Sequence, residues 1–142
     1  MKNILFLFLT LLLSSLACRF RTSNSLPSLS TGEIARTLTH DGRERSYILC
    51  APASLDWSQP LPLVFVFYGD SGIAKCVIRM TRFNQVADQN RFLVIYPNST
   101  DRLGSDTLLT WNGGDCCAYA QENKVGDVGT HAKLMAWESD MI

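Results

Sequence analysis

An α/β fold is predicted by three features of this sequence: a β-hairpin near the front, two apolar strands after it, and an amphipathic helix between those strands. The segments 63–68 and 92–96 are continuous apolar, β-prone runs without polar alternation. Such runs are typical of strands buried on both faces of a parallel sheet. With the helix between them they form one βαβ unit, which is expected to be right-handed. The 142 residues suffice for one domain.

The hairpin is predicted from residues 34–39 and 44–50, which flank His40-Asp41-Gly42-Arg43. Asp-Gly is a strong turn signal because both positions tolerate positive φ. We interpret His40 as a turn-edge residue and not as a catalyst.

Two helices are predicted, the first from its apolar spacing and the second from its N-cap. The first covers about residues 80–90, with Phe83, Val86 and Ala87 as its apolar face. The second is a closing helix over 128–139, with Asp127 as its N-cap and His131 as an exposed residue. Between the second apolar strand and this closing helix, residues 97–127 show little periodicity. Stretches of this length inside a domain are usually functional or disordered.

The first 17 residues have the order of a secretory signal peptide: Lys2, an apolar core over 4–13, then small residues through Ala17. The core is short for a membrane-spanning helix. Cleavage before Cys18 gives a secreted, extracellular protein, and lipidation of Cys18, giving membrane anchoring, is the alternative. Residues 18–31, rich in Ser, are expected to be a flexible lead-in.

Composition excludes some classes of function. Hydrophobic residues make up 46% and charged residues 18%, with 13 basic and 13 acidic residues, so no basic excess indicates a nucleic-acid partner. Asp101, Asp106 and Asp115 lack the spacing of a calcium loop. We expect no metal and no cofactor.

Asn98-Ser99-Thr100 fits the N-glycosylation sequon, which matters only in a eukaryotic secretory pathway.

Export makes disulfides possible, and four cysteines follow the leader region: Cys50, Cys76, Cys116 and Cys117. Four cysteines allow three pairings, and the sequence does not choose among them. Because a bond between adjacent cysteines is strained, we expect Cys116 and Cys117 to pair with distant partners. The two histidines lack finger-like spacing to these cysteines, which argues against a zinc site.

Three segments carry a family resemblance. Residues 61–69 read LPLVFVFYG, residues 83–97 read FNQVADQNRFLVIYP, and residues 111–120 read WNGGDCCAYA, followed by GDVG at 126–129. In their order and spacing they resemble the secreted esterases that include polyhydroxybutyrate depolymerases and feruloyl esterases. The resemblance covers about residues 43–138.

The resemblance implies an α/β-hydrolase fold and hydrolysis of carboxylic esters by a serine on a G-x-S-x-G elbow, with Asp and His later in the chain. It places the candidate oxyanion loop at Tyr68, Gly69 and Asp70, and the substrate loop at Trp111 and Asn112. Tyr68 stands where the family has histidine. Gly126 and Thr130 also depart from the family's DDVGF.

The nucleophile elbow is missing. No serine of this sequence lies in G-x-S-x-G, and the family's later Asp and His have no counterpart. Residues 32–142 are therefore expected to be a partial α/β-hydrolase domain, with a truncated sheet built from the hairpin and one βαβ unit. Its partner would be an ester substrate or polymer once a C-terminal half completes it.

Two other functions stay open. Phe67-Tyr68-Gly69-Asp70-Ser71-Gly72 resembles the Gly-Asp-Ser block of GDSL-type esterases, which would make Ser71 the nucleophile. Against this, Asp127 and His131 are four residues apart where that family has three, and a turn serine explains Ser71 equally well. The third hypothesis is a non-catalytic binding module, secreted or lipid-anchored, with the Trp111 loop as its contact surface.

Overall fold

The computed structural model describes residues 32–139, apart from 53, 54, 57, 101 and 103–107. The expectations for the signal peptide, for Cys18 and for the lead-in lie outside these residues. In the described part, no helix is both long and apolar enough to cross a membrane.

The hairpin is confirmed. Strands β1 (Glu33–His40) and β2 (Arg43–Cys50) pair antiparallel, with His40 opposite Arg43. Asp41 and Gly42 have φ values of 50° and 70°, the positive values that a two-residue hairpin turn requires. His40 lies beside the turn, as predicted.

The βαβ unit is also present. Strands β3 (Leu63–Phe65) and β4 (Leu93–Pro97) pair in parallel, with Phe65 opposite Ile95. The predicted first strand is too long, since its ladder ends at Phe65 and not at Tyr68. The pairing does not continue because Pro97 of β4 has no N–H to donate. Beyond this point, the carbonyl of Tyr68 bonds to a loop residue and not to β4, since it accepts a hydrogen bond from Trp111 Nε1.

Two helices connect these strands where one was predicted. They are α1 (Ala74–Thr81) and α2 (Phe83–Asn90), separated by Arg82 in the left-handed conformation at φ 52°. The predicted apolar face of the second helix is correct for buried Ala87 and for Phe83, which packs on Phe92. It is wrong for Val86, which is exposed.

Antiparallel pairing of β2 with β4 completes a mixed four-stranded sheet in the order β1-β2-β4-β3. Two further helices follow: α3 (Ala118–Glu122) and α4 (Asp127–Ser139). The protein is therefore of the α/β type.

Alternate residues of the central strands face two separate cores, as the two-residue period of a strand requires. The α1/α2 core joins Ile48, Cys50, Val94 and Tyr96 to helices α1 and α2, and the α4 core joins Tyr47, Leu49, Leu93 and Ile95 to Leu134 of α4. All of β4 is buried, and each large apolar side chain buried there stabilises the fold by about 1.5–3 kcal/mol. Helices thus cover both faces of the sheet.

Candidate functional site

Tyr68 lies at the carboxyl end of β3 with its side chain buried. Its hydroxyl accepts a hydrogen bond from Ser99 N at 2.7 Å, and its carbonyl accepts one from Trp111 Nε1 at 3.0 Å. Tyr68 therefore fixes the strand end to the loop that follows β4. The side chain at the family's histidine position points into the protein and does not offer a polar group to the surface.

Gly69 and Asp70 are exposed directly after this anchored residue. Within the described residues, neither N–H group makes a hydrogen bond. Ser71 follows with φ 59°, and its N–H donates to Leu109 O at 3.1 Å. The loop thus presents two N–H donors to solvent between two anchored positions.

Gly72 closes the loop beneath the Tyr68 ring. A Cβ atom at this position would lie 2.6 Å from the ring, closer than real contacts allow. Position 72 must therefore be glycine for Tyr68 to stay buried. A Cβ at Gly69 would meet nothing within 4 Å.

Four rings meet beside this loop, and we call them the aromatic cluster: Phe65, Phe67, Trp111 and His131. The His131 ring centroid lies 4.8 Å from that of Phe67, 5.4 Å from that of Trp111 and 6.2 Å from that of Phe65. Phe67 is 48% exposed, although it contacts Trp111 edge to face at 5.5 Å. The cluster therefore joins the end of β3, the Trp111 loop and α4.

The prediction that His131 is exposed is wrong. Its ring is half-buried, and its Nε2 atom is buried without a hydrogen-bond partner. Burial lowers the pKa of His131 from the ordinary 6.5; the Asp127 carboxylate acts in the opposite direction, and the Arg45 guanidinium adds to the lowering. The sequence contained an indication that His131 is buried. Its position falls on one helical stripe with three other residues: Asp127, Thr130 and Leu134.

The expectation for Asp127 needs correction too. It is the first residue of α4, but its carboxylate accepts from distant groups: Arg45 Nη2 at 2.5 Å and Asn112 N at 2.6 Å. Arg45 Nη1 also donates to Thr130 Oγ1 at 3.2 Å, and the Arg45 and Asp127 side chains are almost fully buried. Arg45 was missed in the sequence because nothing local links residues 82 positions apart.

The two substrate-loop candidates serve mainly to hold their own loop. The Trp111 indole is half-buried and bonded to Tyr68 O. Asn112 Nδ2 donates to Val125 O at 3.0 Å, while its main-chain N–H is taken by Asp127. The loop is therefore tied at consecutive residues to the strand end and to the start of α4.

Asn98 of the sequon has a structural role. Its Oδ1 atom accepts from Ala74 N at 2.8 Å, at the start of α1, and its Nδ2 donates to Ser46 Oγ at 3.0 Å. A glycan on Nδ2 would replace one of its two hydrogens and would have to fit beside the bond to Ser46.

The expected pairing of Cys116 and Cys117 with distant partners stays a prediction. Within the described residues, the Sγ atoms of Cys116 and Cys117 are in close contact with each other. Cys76 is not a free cysteine. Cys50 is free and buried, and burial raises its pKa to about 11. Among the described residues, no group of three His, Cys, Asp or Glu side chains is arranged to hold a metal ion.

The structure does not bring Ser71 together with a base. His131 Nε2 has no hydrogen-bond partner, so it does not accept a proton from Ser71. The Asp127 carboxylate accepts from Arg45 and Asn112 and makes no hydrogen bond with His131, so it does not orient the ring. A serine nucleophile needs both links.

Comparisons with known proteins add no relative: no protein-family model and no curated protein matches this chain.

Proposed function

We propose that this chain is the front part of a secreted serine carboxylic-ester hydrolase, acting on polyhydroxyalkanoate or feruloyl-type esters, and that it does not hydrolyse esters alone. One observation carries the proposal. Strand β3, which ends in the candidate oxyanion loop, is an edge strand among the described residues and pairs only with β4. In the family that the sequence resembles, the strand after the closing helix pairs at this edge and carries the nucleophile.

The open backbone groups and apolar side chains of edge strand β3 support the proposal. An edge strand presents unpaired N–H and C=O groups, and proteins normally keep such edges short, charged or covered. β3 is purely apolar, and it continues into Phe67, a large side chain that is 48% exposed. A further strand here would pair the open backbone groups and bury this ring.

The loop at the end of β3 also has the properties that ester hydrolysis requires. Ligands of open α/β sheets bind beyond the carboxyl ends of the strands, where Gly69 and Asp70 lie. Their N–H groups are unbonded within the described residues, as donors awaiting an oxyanion must be. Tyr68 and Ser71 hold the loop in place, so the donors need not reorganise when charge develops on the substrate.

The nucleophile and its base would come from the added strand and from segments beyond it. The completed protein would bind an ester or a polyester outside the cell, without a cofactor, after export directed by residues 1–17. Contact with a membrane would arise only through lipidation of Cys18.

Labelling with a fluorophosphonate, a probe that reacts with activated serines, tests the proposal. Antibodies raised against residues 32–139 capture the protein from the medium and the cell envelope of its own cells after labelling. We expect a labelled polypeptide in the captured material, either larger than the 15.8 kDa of this chain or bound to it. Captured chain without any labelled species contradicts the proposal.

The same experiment distinguishes the GDSL-type alternative. Label on the 15.8 kDa chain itself, lost in Ser71→Ala, would assign the nucleophile to Ser71 and overturn the front-part hypothesis. Hydrolysis of p-nitrophenyl acetate by the purified chain, with and without the inhibitor, gives the matching kinetic test. We expect no inhibitor-sensitive turnover.

A further inference from the structure

His131 lies where α4 meets the sheet, and it joins α4 to two other parts of the molecule. Its ring contacts Phe65 and Phe67 from β3 and the strand end, and Trp111 from the loop after β4. These contacts are available to a neutral imidazole, which packs as an aromatic ring.

A charged imidazole fits this position poorly. Both ring nitrogens of a histidinium are donors and need acceptors. Nε2 is buried and faces no acceptor among the described residues. The surrounding rings offer a cation–π attraction, worth about 0.5–1 kcal/mol at exposed sites and about 2 kcal/mol or more when desolvated, but no hydrogen-bond acceptor.

The charged groups around the ring do not supply the hydrogen-bond acceptor that a protonated His131 needs at Nε2. On its own helix, Asp127 lies one turn earlier and its charge favours the protonated ring, but its carboxylate accepts from Arg45 and Asn112 and makes no hydrogen bond with His131. From β2, the Arg45 guanidinium repels a positive imidazole. The contacts from β3 and from the Trp111 loop come from uncharged side chains.

We propose that His131 is a pH-sensitive contact: in its neutral form it packs α4 and the Trp111 loop against the end of β3, and on protonation it leaves the aromatic cluster and loosens both. The proposal goes beyond the proposed ester hydrolysis and does not depend on it. Acidification would expose Phe65, Phe67 and Trp111 together, beside the candidate oxyanion loop.

The direction of the pH dependence follows from the burial of the ring. The pKa of His131 is lowered in the folded protein, so the unfolded chain binds the proton more readily. The contribution of the neutral ring to stability is therefore complete above the ordinary histidine pKa of 6.5. It is lost as the pH falls below 6.5 and through the lower folded value.

Urea unfolding of the purified chain at about pH 7.5 and about pH 5 tests the proposal, since histidines are the ordinary groups that titrate between these values. We compare wild type with His131→Phe, which keeps an aromatic ring but does not titrate. We expect the wild-type midpoint to fall at the lower pH and the His131→Phe midpoint to fall clearly less. His40→Gln removes the other histidine and should leave the wild-type dependence on His131 in place.

Equal losses of stability in wild type and His131→Phe would overturn the proposal. Should His131→Phe not fold, NMR titration of the two histidines in the wild-type chain decides, with His40→Gln assigning the resonances. We expect His131 to titrate below 6.5, together with chemical-shift changes at Trp111 and Phe67. Titration of His131 at or above 6.5, or titration without change at these rings, would contradict it.

Discussion

The two faces of the sheet are covered by helices in different ways. Helices α1 and α2 contact their face mainly through buried hydrocarbon, with Ala74, Val77 and Ile78 in one core with Val94 and Tyr96. Asn84 of α2 adds two polar contacts, since it accepts from Tyr96 Oη and donates to Glu33 Oε1. Among the side chains of α4 that the structure describes, Leu134 joins the buried apolar core on its face. Several other α4 contacts are polar or aromatic.

Four contacts replace hydrocarbon on the α4 face. They are the buried Arg45–Asp127 ion pair, the His131 ring in the aromatic cluster, a hydrogen bond of 2.7 Å from Lys133 Nζ to Thr39 O, and the approach of α4 to the His40 ring. The last is a close approach, because a Cβ at Gly129 would lie 2.5 Å from His40 Nε2 unless the ring moved.

This difference indicates how each face should respond to its surroundings. Apolar burial depends little on pH, whereas ion pairs and imidazoles respond to protonation. The α1/α2 face should therefore be a constant part of the fold. The α4 face, which adjoins the open edge of β3, should be the part that changes.

The largest expected effect comes from breaking the ion pair of the α4 face. Asp127→Ala leaves the Arg45 guanidinium buried without its carboxylate, and this should destabilise the protein by about 3–5 kcal/mol. Urea unfolding measures the loss. The double variant Arg45→Met/Asp127→Leu should recover much of it, because removing both charges also removes their desolvation cost. No recovery in the double variant would mean that the pair is not the cause.

Truncation of a buried side chain on the α1/α2 face gives the matching measurement for that face. Ile78→Ala removes buried hydrocarbon from α1 and should cost about 2–4 kcal/mol. The cost should be the same at about pH 7.5 and about pH 5, unlike the contribution of His131. If the loss of unfolding free energy in Ile78→Ala changed with pH, the proposed difference in pH dependence between the two faces would be contradicted.

Substitution of Gly72 gives a smaller effect at the candidate oxyanion loop. Gly72→Ala places a methyl group against the buried Tyr68 ring and should cost about 1–3 kcal/mol. Gly69→Ala is the matched control, because its methyl group meets nothing, and its effect should stay within about 0.5 kcal/mol. Equal effects at the two glycines would show that Tyr68 is not packed as described.

The smallest expected effect is on the reactivity of the Cys50 thiol, which reports on opening of the α1/α2 core. Cys50 is buried, with its pKa raised to about 11, so almost no thiolate exists at about pH 8. Reaction with 5,5′-dithiobis(2-nitrobenzoic acid) should be slow in the native chain and fast in urea. Fast reaction under native conditions would indicate that this core opens readily.

The elements that sequence could predict are those with local signals. The Asp41-Gly42 turn, the apolar run at 92–96 and the closing helix over 128–139 each depend on neighbouring residues. The structure contains the turn, a strand at Leu93–Pro97 and a helix at Asp127–Ser139. Helix α1 was not predicted, although Ala74, Val77 and Ile78 have helical apolar spacing. The break at Arg82 has no sequence signal, because arginine rarely adopts positive φ.

The candidate site was less predictable, because its contacts join distant residues. The resemblance located the Tyr68 loop and the Trp111 segment, which the structure brings together through one hydrogen bond. Neither Arg45 nor the inward orientation of His131 was found, since both depend on how α4 docks.

The central claim is that the open edge of β3 receives a nucleophile-bearing strand. Sequencing the transcript past the codon for Ile142, in all three frames, tests this claim most directly. The account predicts a G-x-S-x-G segment within a few dozen codons, with Asp and His further on. A confirmed stop codon followed by no such segment in any frame would contradict it.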